Sequence, residues 1–311
     1  MLYMTKILVT GGAGFIGSNL VDKLILEGHQ VVVLDDLSSG KRDYINPQAK
    51  FYQLDILSDK IDEIFAKESF DYVYHLAAQI DVRTSVSNPA FDNKINVVGG
   101  LNILEKAKKH KVKKVIFAST GGAIYDEAEE IPTSETSPTY PVSPYGINKL
   151  AFEKYLNYYF KVYGLDYTIL RFANVYGPRQ FKGGEAGVIA IFIDNAVKNK
   201  VSVQYGDGKQ TRDFVFVFDV VSALSKAKDV NYQGEINISL GREVSLLEVR
   251  DKIEEALGSK VEVKEDNPKL GEQRRSCLSR KLAKEVLDWE PEFDLTEGIK
   301  ETINWAKKQV N

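Results

Sequence analysis

Near its amino terminus the chain reads Lys6-Ile-Leu-Val-Thr-Gly-Gly-Ala-Gly-Phe-Ile-Gly17. The apolar, strand-like run Lys6–Thr10 leads through glycines spaced G-x-x-G-x-x-G into an amphipathic, helix-like stretch, Phe15–Glu27. Glycines between a strand and a helix let the backbone approach a pyrophosphate, and the helix N-terminus supplies N–H groups and partial positive charge. The sequence therefore predicts a dinucleotide site here. The alternative is a strand–helix turn that needs glycine only for its own backbone.

Acidic residues follow the next two strand-like runs. Asp35 and Asp36 come after Val31–Leu34, about 20 residues beyond the glycines, where a carboxylate can bind the ribose hydroxyls of adenosine. Their negative charge repels a 2′-phosphate and so favours NAD over NADP, although Lys41–Arg42 lies close in the sequence. Asp55 is placed to face the adenine amino group, or else it caps the end of a strand.

Short apolar runs alternate with longer amphipathic stretches through the first half of the chain. The strand-like runs are Lys6–Thr10, Gln30–Leu34, Lys50–Leu54, Tyr72–Leu76, Lys114–Ala118 and Asp166–Arg171. This alternation predicts an α/β fold with a Rossmann-type doubly wound parallel sheet. Past residue 174 the elements shorten, which predicts a smaller carboxy-terminal α+β region. We expect an NAD-binding domain over 1–174, with a return segment around 212–240, and a substrate domain over 175–311.

Composition and charge exclude several other classes of protein. The 311 residues are 43% hydrophobic and 27% charged, with a formal net charge of −3, which argues against a dedicated nucleic-acid binder. The single cysteine, Cys277, excludes an internal disulfide and has no Cys or His cluster around it, so we expect no metal. No signal peptide or membrane-spanning run is recognisable, so we expect a cytoplasmic protein that does not bind membranes.

A second motif, Tyr145-Gly-Ile-Asn-Lys149, follows a predicted helix start. Ser143 is a favoured N-cap and Pro144 a favoured first helical residue, so Tyr145 and Lys149 share one helix face, one turn apart. A phenol is a poor base at neutral pH, but a neighbouring ammonium, the helix N-terminus and an oxidised nicotinamide all favour the phenolate. This spacing also occurs by chance.

A hydroxyl pair follows the strand-like run Lys114–Ala118. Ser119 and Thr120 stand at its carboxyl end, the edge at which open α/β sheets bind ligands. A hydroxyl group there can share a proton with Tyr145 during oxidation of an alcohol. The alternative is a serine/threonine turn without a ligand.

These residues together resemble the extended short-chain dehydrogenase/reductases and, within them, the UDP-glucose (UDP-galactose) 4-epimerases. The resemblance covers nearly the whole chain. The matching segments are Thr10–Gly17, Leu34–Leu37, His75–Ala78, Asn96, Ser119–Thr120, Tyr145 with Lys149, Leu170–Pro178 and Arg212–Asp213.

The resemblance implies a role for each matching residue. NAD would be contacted by Gly11, Gly14, Phe15, Ile16, Asp35, Asp36, Asp55, Ile56, Leu76, Ala77, Ala78, Gln79 and Asn96. Thr120 would be the hydroxyl partner, Tyr145 the base, and Lys149 the residue that lowers the phenol's pKa and holds the nicotinamide ribose. Asn174 and Arg212 would hold the nucleotide sugar. The implied reaction inverts the sugar C4 through a 4-keto intermediate, with UDP-hexoses as substrates.

Three positions depart from the family pattern. Lys269 stands where a second diphosphate-binding arginine is usual, so either it or Arg274 would bind the diphosphate. Phe216 replaces a more usual histidine, which we interpret as packing. Ser276 stands where a bulky residue usually restricts the sugar pocket, so UDP-N-acetylhexosamines become candidate substrates.

Rival functions remain within and outside the enzyme class. The 4,6-dehydratases of this family carry Asp-Glu directly after the threonine, whereas Gly121-Gly122 follows Thr120 here. UDP-glucuronate decarboxylases or epimerases are harder to separate by sequence. A non-catalytic dinucleotide sensor is a further alternative, against which the intact Tyr145 and Lys149 argue. The family also implies a homodimer, formed through the helices over Ala90–Lys109 and Pro144–Tyr163.

Overall fold

The structure is a computed structural model that describes residues 5–125, 130–180, 187–268 and 273–309. Its strands are β1 (Lys6–Thr10), β2 (Gln30–Asp35), β3 (Lys50–Gln53), β4 (Tyr72–His75), β5 (Lys114–Thr120), β6 (Asp166–Phe172), β7 (Asn174–Tyr176), β8 (Ser202–Tyr205), β9 (Thr211–Arg212), β10 (Phe214–Phe216), β11 (Glu235–Ile238), β12 (Val244–Ser245) and β13 (Val263–Asp266).

Helices fill most of the intervals between these strands. They are α1 (Phe15–Leu26), α2 (Ile61–Glu68), α3 (Val82–Ser87), α4 (Pro89–Asn93), α5 (Gly100–Lys109), α6 (Pro144–Tyr163), α7 (Val188–Val197), α8 (Val217–Ala227), α9 (Leu246–Leu257), α10 (Lys281–Leu287) and α11 (Leu295–Lys308). A 3₁₀ turn covers Arg42–Tyr44, and a π-helical segment, Lys94–Gly99, joins α4 to α5.

The central sheet is parallel throughout. Among the described residues it contains seven strands in the order β11–β6–β5–β4–β1–β2–β3, which confirms the predicted Rossmann-type α/β fold. Strand β11, from the segment that the sequence suggested as a return, pairs with β6 at the sheet edge. The remaining strands form small pairs outside this sheet: β7 with β10, β8 with β13 and β9 with β12.

The strand order changes direction beside β1. Thr10 at the end of β1 lies opposite Leu34 of β2 on one side and His75 of β4 on the other. The chain runs outward from β1 to β3 and then crosses back to β4, β5 and β6. A crevice therefore opens at the carboxyl ends of β1 and β4, where open α/β sheets hold their ligands.

Both faces of the sheet are covered by apolar side chains. On one face Ile7, Val9 and Val33 pack in a core with Leu20 of α1 and Val220 of α8. The opposite face buries alternate residues of the same strands together with residues from α2, α5 and α6: Leu8, Val32, Leu34, Phe65, Leu104 and Phe152. Burial on both sides explains why these strands read as continuous apolar runs rather than alternating ones.

The predicted helical stretch Ala90–Lys109 is interrupted by the π-helical segment. Two glycines at its end allow close packing: a Cβ on Gly99 would lie 2.6 Å from Ile56 Cδ1, and one on Gly100 would lie 2.3 Å from Phe152 Cε2. Widened turns of this kind are frequent at functional sites. Here the segment carries Asn96 toward the carboxyl end of β4.

Candidate active site

The glycine loop closes tightly over the carboxyl end of β1. Gly11 has a φ of +71°, and a Cβ there would lie 2.6 Å from the backbone N of Ala77. A Cβ on Gly17 would lie 2.1 Å from the carbonyl oxygen of Gly11. Both glycines are therefore needed for the local packing, as the turn alternative requires. The loop also leaves an accessible surface at the start of α1, formed by the half-buried Gly11, Gly14, Phe15 and Ile16.

Asp35 braces this loop from the end of β2. Its buried carboxylate accepts hydrogen bonds from the backbone N of Ala13 at 3.0 Å and of Leu37 at 2.9 Å. Burial raises the pKa of Asp35, although both backbone N–H groups favour the carboxylate. Asp36 is exposed and accepts from the backbone N and the hydroxyl of Ser38. Asp35 thus fixes the loop, while Asp36 presents its charge at the same edge.

Asp55 and Ile56 differ in their surroundings. Asp55 is exposed and accepts a hydrogen bond from the backbone N of Leu57 at 2.8 Å, a local contact of the kind that the strand-end alternative predicts. Ile56 is buried, and its backbone oxygen accepts from Asn102 Nδ2 at 2.8 Å. The structure therefore joins Ile56 to the start of α5 and leaves the Asp55 side chain at the surface.

The loop after β4 is held beside the glycine loop by side-chain hydrogen bonds. The backbone N of Ala77 donates to Thr10 Oγ1 at 3.2 Å. Asn96 holds both sides of Gln79, accepting from its backbone N at 3.0 Å and donating to its carbonyl oxygen at 2.9 Å. Gln79 Nε2 donates to the buried Asp92 at 2.7 Å. The predicted cofactor residues of this loop are all half-buried: Leu76, Ala77, Ala78 and Gln79.

Helix α6 begins as the sequence predicts. The Ser143 hydroxyl caps it by accepting from the backbone N of Gly146 at 3.2 Å, and Pro144 is the first helical residue. Tyr145 and Lys149 then follow one turn apart, with the Lys149 ammonium 5.9 Å from the centre of the Tyr145 ring. The chain therefore brings the predicted phenol and ammonium together.

Lys149 is a buried cation. Its Nζ donates to the carbonyl oxygen of Ala118 at 2.9 Å and lies 4.5 Å from the centre of the Phe117 ring. Burial lowers the pKa of Lys149 to about 8, while the charges of Glu153 and Asp92 raise it. The carbonyl and the aromatic ring both favour the ammonium form. Lys149 is accordingly an ammonium at neutral pH.

Thr120 ends β5 at the same edge of the sheet. Its Oγ1 accepts a hydrogen bond from the backbone N of Ala123 at 3.3 Å, so the turn alternative is also realised. The hydroxyl keeps its own proton for donation to a substrate oxygen. A Cβ on Gly146 would lie 2.2 Å from the carbonyl oxygen of Ala123, so α6 packs closely against the segment that follows Thr120.

The predicted substrate residues come together around Asp213. The backbone N and the Nδ2 of Asn174 both donate to the carbonyl oxygen of Asp213, at 2.9 and 3.2 Å. Arg212 precedes Asp213 and donates to the carbonyl oxygen of Thr211 at 2.8 Å. The backbone N of Thr211 donates to the carbonyl oxygen of Arg274 at 3.0 Å. Two predicted segments, around 212 and 274, therefore lie side by side.

Asp213 also fixes the segment that carries Ser276. Its buried carboxylate accepts from the backbone N of Leu278 at 3.2 Å and of Leu240 at 2.9 Å. Burial raises the pKa of Asp213 to about 6, whereas these hydrogen bonds lower it. Ser276 is buried beside Cys277, and Lys269 lies outside the described residues.

Arg274 and Phe216, two residues connected with the departures from the family pattern, have different surroundings. The Arg274 guanidinium is exposed and forms a bidentate ion pair with Asp207, with two N–O distances of 2.9 Å. Phe216 is buried, and its ring centre lies 5.0 Å from that of Phe218 and 4.8 Å from that of Phe293. Aromatic packing at position 216 agrees with our interpretation of that departure.

This arrangement places a glycine loop, a helical Tyr–Lys pair and a strand-end hydroxyl around one crevice, and comparison with known proteins identifies the family. The sequence model of the NAD dependent epimerase/dehydratase family matches residues 7–239. The chain belongs to this family. Membership of the NAD dependent epimerase/dehydratase family confirms the resemblance to the extended short-chain dehydrogenase/reductases and the prediction of NAD as cofactor.

Similar members of the NAD dependent epimerase/dehydratase family extend over nearly the whole chain. A putative UDP-glucose 4-epimerase of Methanocaldococcus jannaschii is 49% identical, covering 97% of this chain and 98% of its own. The crystal structure of a Thermotoga maritima UDP-glucose 4-epimerase with UDP-glucose is 46% identical, with a TM-score of 0.96, covering 98% of this chain and 100% of its own. That of a Thermus thermophilus UDP-glucose 4-epimerase with NAD is 40% identical, with a TM-score of 0.91 and coverage of 97% and 98%.

Within the described ranges, no three His, Cys, Asp or Glu side chains are grouped so that they could hold a metal ion. In the same part of the chain, no helix combines the length and apolarity needed to cross a membrane.

Sequence reasoning missed several buried polar residues beneath the Tyr–Lys pair. Glu153 lies one turn beyond Lys149 on α6 and is paired with Arg171 of β6, while Asp92 of α4 lies beside Asn148. Two signals were available in the sequence. A charged residue interrupts the apolar run of β6, and Glu153 continues the i, i+4 series that starts at Tyr145.

Proposed function

We propose that this protein is an NAD-dependent UDP-glucose 4-epimerase, which interconverts UDP-glucose and UDP-galactose through a 4-keto sugar. The observation that carries the proposal is the buried Lys149 ammonium beside Tyr145, at the sheet edge that also holds Thr120 and the glycine loop. The relatives named UDP-glucose 4-epimerase support it, since they match this chain over nearly its full length.

The residues at this edge fit NAD. The backbone at Gly11 and Gly14 and the N-terminus of α1 would hold the pyrophosphate, where a side chain on Gly11 has no room. Asp36 and Asp35 would receive the adenosine ribose, and Leu76–Gln79 would line the nicotinamide side. Lys149 would hold the nicotinamide ribose. Bound there, NAD supplies the acceptor and donor of the hydride at the sugar C4.

Tyr145 takes the proton of the sugar 4-hydroxyl, and Lys149 makes this possible. A phenol with an ordinary pKa of about 10 is a weak base at neutral pH. The ammonium one turn away and the N-terminus of α6 both stabilise the phenolate. Thr120 donates to the same sugar oxygen and shares the proton. When the sugar presents its other face, the same groups return the proton and C4 is inverted.

The nucleotide is held by residues at some distance from the reacting carbon. Arg212 would contact the diphosphate through a charge-assisted hydrogen bond, and Asn174 would hold the nucleotide sugar. Arg274 or Lys269 would add a second cation; the Arg274 guanidinium would exchange Asp207 for the diphosphate. Anchoring the nucleotide while leaving the sugar untethered allows the 4-keto sugar to turn over within the site.

Ser276 supports a wider choice of sugar. Its small side chain is buried next to Cys277, where the family usually places a bulky group. We expect turnover of UDP-N-acetylgalactosamine as well as UDP-galactose. Substituting Ser276→Tyr should abolish the first activity and spare the second, which parallel assays of the two substrates would measure. Absence of any wild-type turnover of UDP-N-acetylgalactosamine would reject this extension.

The separation of cofactor-binding from substrate-binding residues suggests a domain organisation. We assign residues 1–174, together with the returning segment around 212–240, to the NAD-binding domain and 175–311 to the substrate domain. The pairing of β11 with β6 supports the return, and the small strand pairs outside the main sheet support a separate substrate region. The single Cys277, which is buried and forms no disulfide, fits a cytoplasmic location.

We also propose a homodimer formed through the helical stretches Ala90–Lys109 and Pro144–Tyr163. Exposed large apolar side chains come from α4, the π-helical segment and α6: Phe91, Val98, Ile147, Tyr155, Tyr158, Val162 and Tyr163. An apolar face of this kind is typical of an interface between subunits. A second copy of the chain presents the same face, so a two-fold axis would bury both.

The direct test is incubation of the purified protein with UDP-galactose, without added NAD, followed by identification of the product. UDP-glucose formation would establish the reaction, the sugar and the retention of NAD together. Conversion of UDP-glucuronate instead would point to a uronate epimerase or decarboxylase. Bound NAD without turnover of any nucleotide sugar would favour a sensor and contradict the proposal.

A further inference from the structure

A buried ion pair lies directly beneath the catalytic residues. Arg171 of β6 and Glu153 of α6 are both almost fully buried, with 2% and 1% of their surface exposed. Arg171 Nε donates to Glu153 Oε1 at 3.0 Å, and its Nη2 donates to Oε2 at 2.5 Å. Two parallel hydrogen bonds of this kind fix the relative position of both side chains. Because a buried ion pair is often no more stabilising than an apolar pair of similar size, stability alone is a weak reason for its presence.

The pair orders the end of the strand that carries Thr120. The Ser119 hydroxyl donates to Glu153 Oε1 at 2.6 Å, immediately before Thr120 in the chain. Arg171 Nη1 donates to the Tyr125 hydroxyl at 2.7 Å, beyond Thr120 in the following segment. Contacts on both sides of Thr120 therefore start from one buried pair.

Two further hydrogen bonds connect Tyr125 to the edge strand β11 and to Thr133. The Tyr125 hydroxyl donates to Asn237 Oδ1 of β11 at 3.0 Å, and Asn237 Nδ2 donates to the carbonyl oxygen of Thr133 at 3.1 Å. The segment after β5 is thus tied to β6 and β11 through side chains. Glu153 and Arg171 link this segment to α6, in addition to the close packing of Gly146 against Ala123.

Glu153 also brings charge to the surroundings of Lys149. Among the described residues, the charged or titratable groups that face Lys149 are Tyr145 and Glu153 on its own helix, Asp92 from α4, His75 from β4 and Arg171 behind Glu153. His75 is neutral at ordinary pH because burial, reinforced by Lys149, lowers its pKa to about 3. Glu153 and Asp92 are therefore the anions available to the buried ammonium.

We propose that Glu153 is a positioning residue of the catalytic site: held by Arg171 and Ser119, it aligns the strand end that carries Thr120 with α6 and supplies a buried negative charge one turn from Lys149. This rests on the proposed function of Tyr145 and Lys149 as the proton-handling pair. Glu153 itself touches neither substrate nor cofactor in this role; it acts through Lys149 and through Ser119.

Replacing the Glu153 carboxylate by a neutral group of the same shape should shift the pKa values of neighbouring groups in a known direction. Glu153→Gln keeps the size of the side chain but deletes a negative charge one turn from Lys149 and two turns from Tyr145 on the same helix. Loss of an anion favours the deprotonated form of a neighbouring group, so Lys149 and, more weakly, Tyr145 should titrate at lower pH. Glu153→Asp keeps the charge and should restore most of the wild-type titration.

A matched control stands at the opposite edge of the sheet. Glu68, at the end of α2, is also buried and pairs with Lys6 and Lys50, at the amino-terminal ends of β1 and β3. Glu68→Gln removes a buried carboxylate of the same type far from α6. It should weaken folding without moving the titration of Tyr145.

The experiment has two measurements. The first is the tyrosinate absorbance of the NAD-loaded protein as a function of pH; subtracting the absorbance of the same protein with Tyr145→Phe isolates the titration of Tyr145. The second is the pH profile of UDP-galactose turnover. We expect Glu153→Gln to move the Tyr145 midpoint and the whole turnover profile to lower pH, Glu153→Asp to remain near wild type, and Glu68→Gln to leave both unmoved. Lower turnover in Glu153→Gln with unmoved midpoints would overturn the proposal, as would an equal displacement in Glu68→Gln.

Two further outcomes distinguish a failure of the proposed function from a failure of the role proposed for Glu153. If the wild-type protein turns over no nucleotide sugar but its Tyr145 midpoint still responds to Glu153→Gln, the proposed function fails and the role of Glu153 stands. If Glu153→Gln does not fold, the double variant Glu153→Gln/Arg171→Met removes both charges of the buried pair. Glu235, whose side chain is partly exposed, loses only its 3.5 Å contact with Arg171 in that variant. The double variant should move the midpoint in the same direction by a smaller amount, and an unmoved midpoint in that variant would overturn the proposal.

Discussion

Lys149 is kept as a cation in surroundings that disfavour cations. Its ammonium has exchanged water for the Ala118 carbonyl oxygen, the Phe117 ring and the charges of Glu153 and Asp92. These contacts do not fully replace hydration, since burial still lowers its pKa to about 8. Burial of this ammonium therefore costs folding free energy, and in the proposed function it serves to stabilise a Tyr145 phenolate; such a trade of stability for activity is usual at catalytic sites.

The free-energy cost of burying the Lys149 ammonium gives a prediction for Lys149→Met. The pKa of Lys149 in the folded protein, about 8, lies below the ordinary value of 10.5. Between these two pH values the unfolded chain therefore binds more protons than the folded one. The free-energy cost of burying the Lys149 ammonium is fully present below about pH 8 and is relieved as the pH rises toward 10.5. The substitution should raise the free energy of unfolding at neutral pH by about 1–3 kcal/mol. That gain should shrink as the pH rises through 8 toward 10.5, while turnover is lost.

Denaturant unfolding of both proteins at neutral and at alkaline pH measures this difference. Lys161→Met, on the exposed side of the same helix, is the control and should change neither stability nor turnover appreciably. A Lys149→Met protein that is less stable than the wild type at every pH would contradict this account of the buried ammonium.

At the scale of single elements, the start of α6 decides where Tyr145 and Lys149 lie. Ser143 caps this helix, and Ser245 caps α9 in the same way, accepting from the backbone N of Glu248 at 3.1 Å. Ser143→Ala and Ser245→Ala should each lower the free energy of unfolding by about 1 kcal/mol. Only Ser143→Ala should also reduce turnover, because fraying at this end displaces the phenol. Equal turnover in the two variants would show that the cap serves folding alone.

The glycine loop offers a second element-scale prediction. Gly11 and Gly164 have nearly the same backbone conformation, with φ of +71° and +73°, but a Cβ on Gly164 would meet nothing within 4 Å. Gly164→Ala should therefore show the conformational penalty alone, about 1–2 kcal/mol of unfolding free energy, with normal NAD content. Gly11→Ala should lose more stability and most of its bound NAD, because the new methyl group meets the backbone of Ala77. Cofactor release after denaturation measures the NAD content, and normal NAD in Gly11→Ala would refute the assigned pyrophosphate site.

At the scale of the whole molecule, the apolar face formed by α4, the π-helical segment and α6 predicts association. Val162 on α6 is 55% exposed within that face, whereas Leu26 on α1 is 83% exposed on the other side of the sheet. Val162→Glu should convert a dimer to a monomer, since it buries a charge against a second copy. Leu26→Glu should leave the dimer intact. Sedimentation of the three proteins measures this, and a monomeric wild type would contradict the proposed dimer.

Much of this organisation follows from the sequence because periodicity and capping are local properties. The strand β1, the glycine turn and the cap at Ser143 all agree with prediction, since each depends on a few adjacent residues. The π-helical segment at Lys94–Gly99 was not predicted, because it depends on Gly99 and Gly100 fitting against distant side chains.

The buried polar groups were the least predictable part. Nothing local indicates that Glu153 will meet Arg171, which lies on another element, or that the Asp35 carboxylate will brace the glycine loop from within. Asp55 illustrates the reverse case, because its position after a strand suggested a cofactor contact while its side chain makes a local turn contact at the surface. Pairings across the sheet are set by topology, and topology was inferred only in outline.

The central claim is that Tyr145, made acidic by Lys149, moves the proton of the sugar 4-hydroxyl. The most direct test compares UDP-galactose turnover by the wild type and by Tyr145→Phe, with the NAD content of both proteins measured. The account predicts at least a 100-fold loss of turnover, about the lower range of a general base, with NAD content unchanged. Turnover by Tyr145→Phe at the wild-type rate would contradict it.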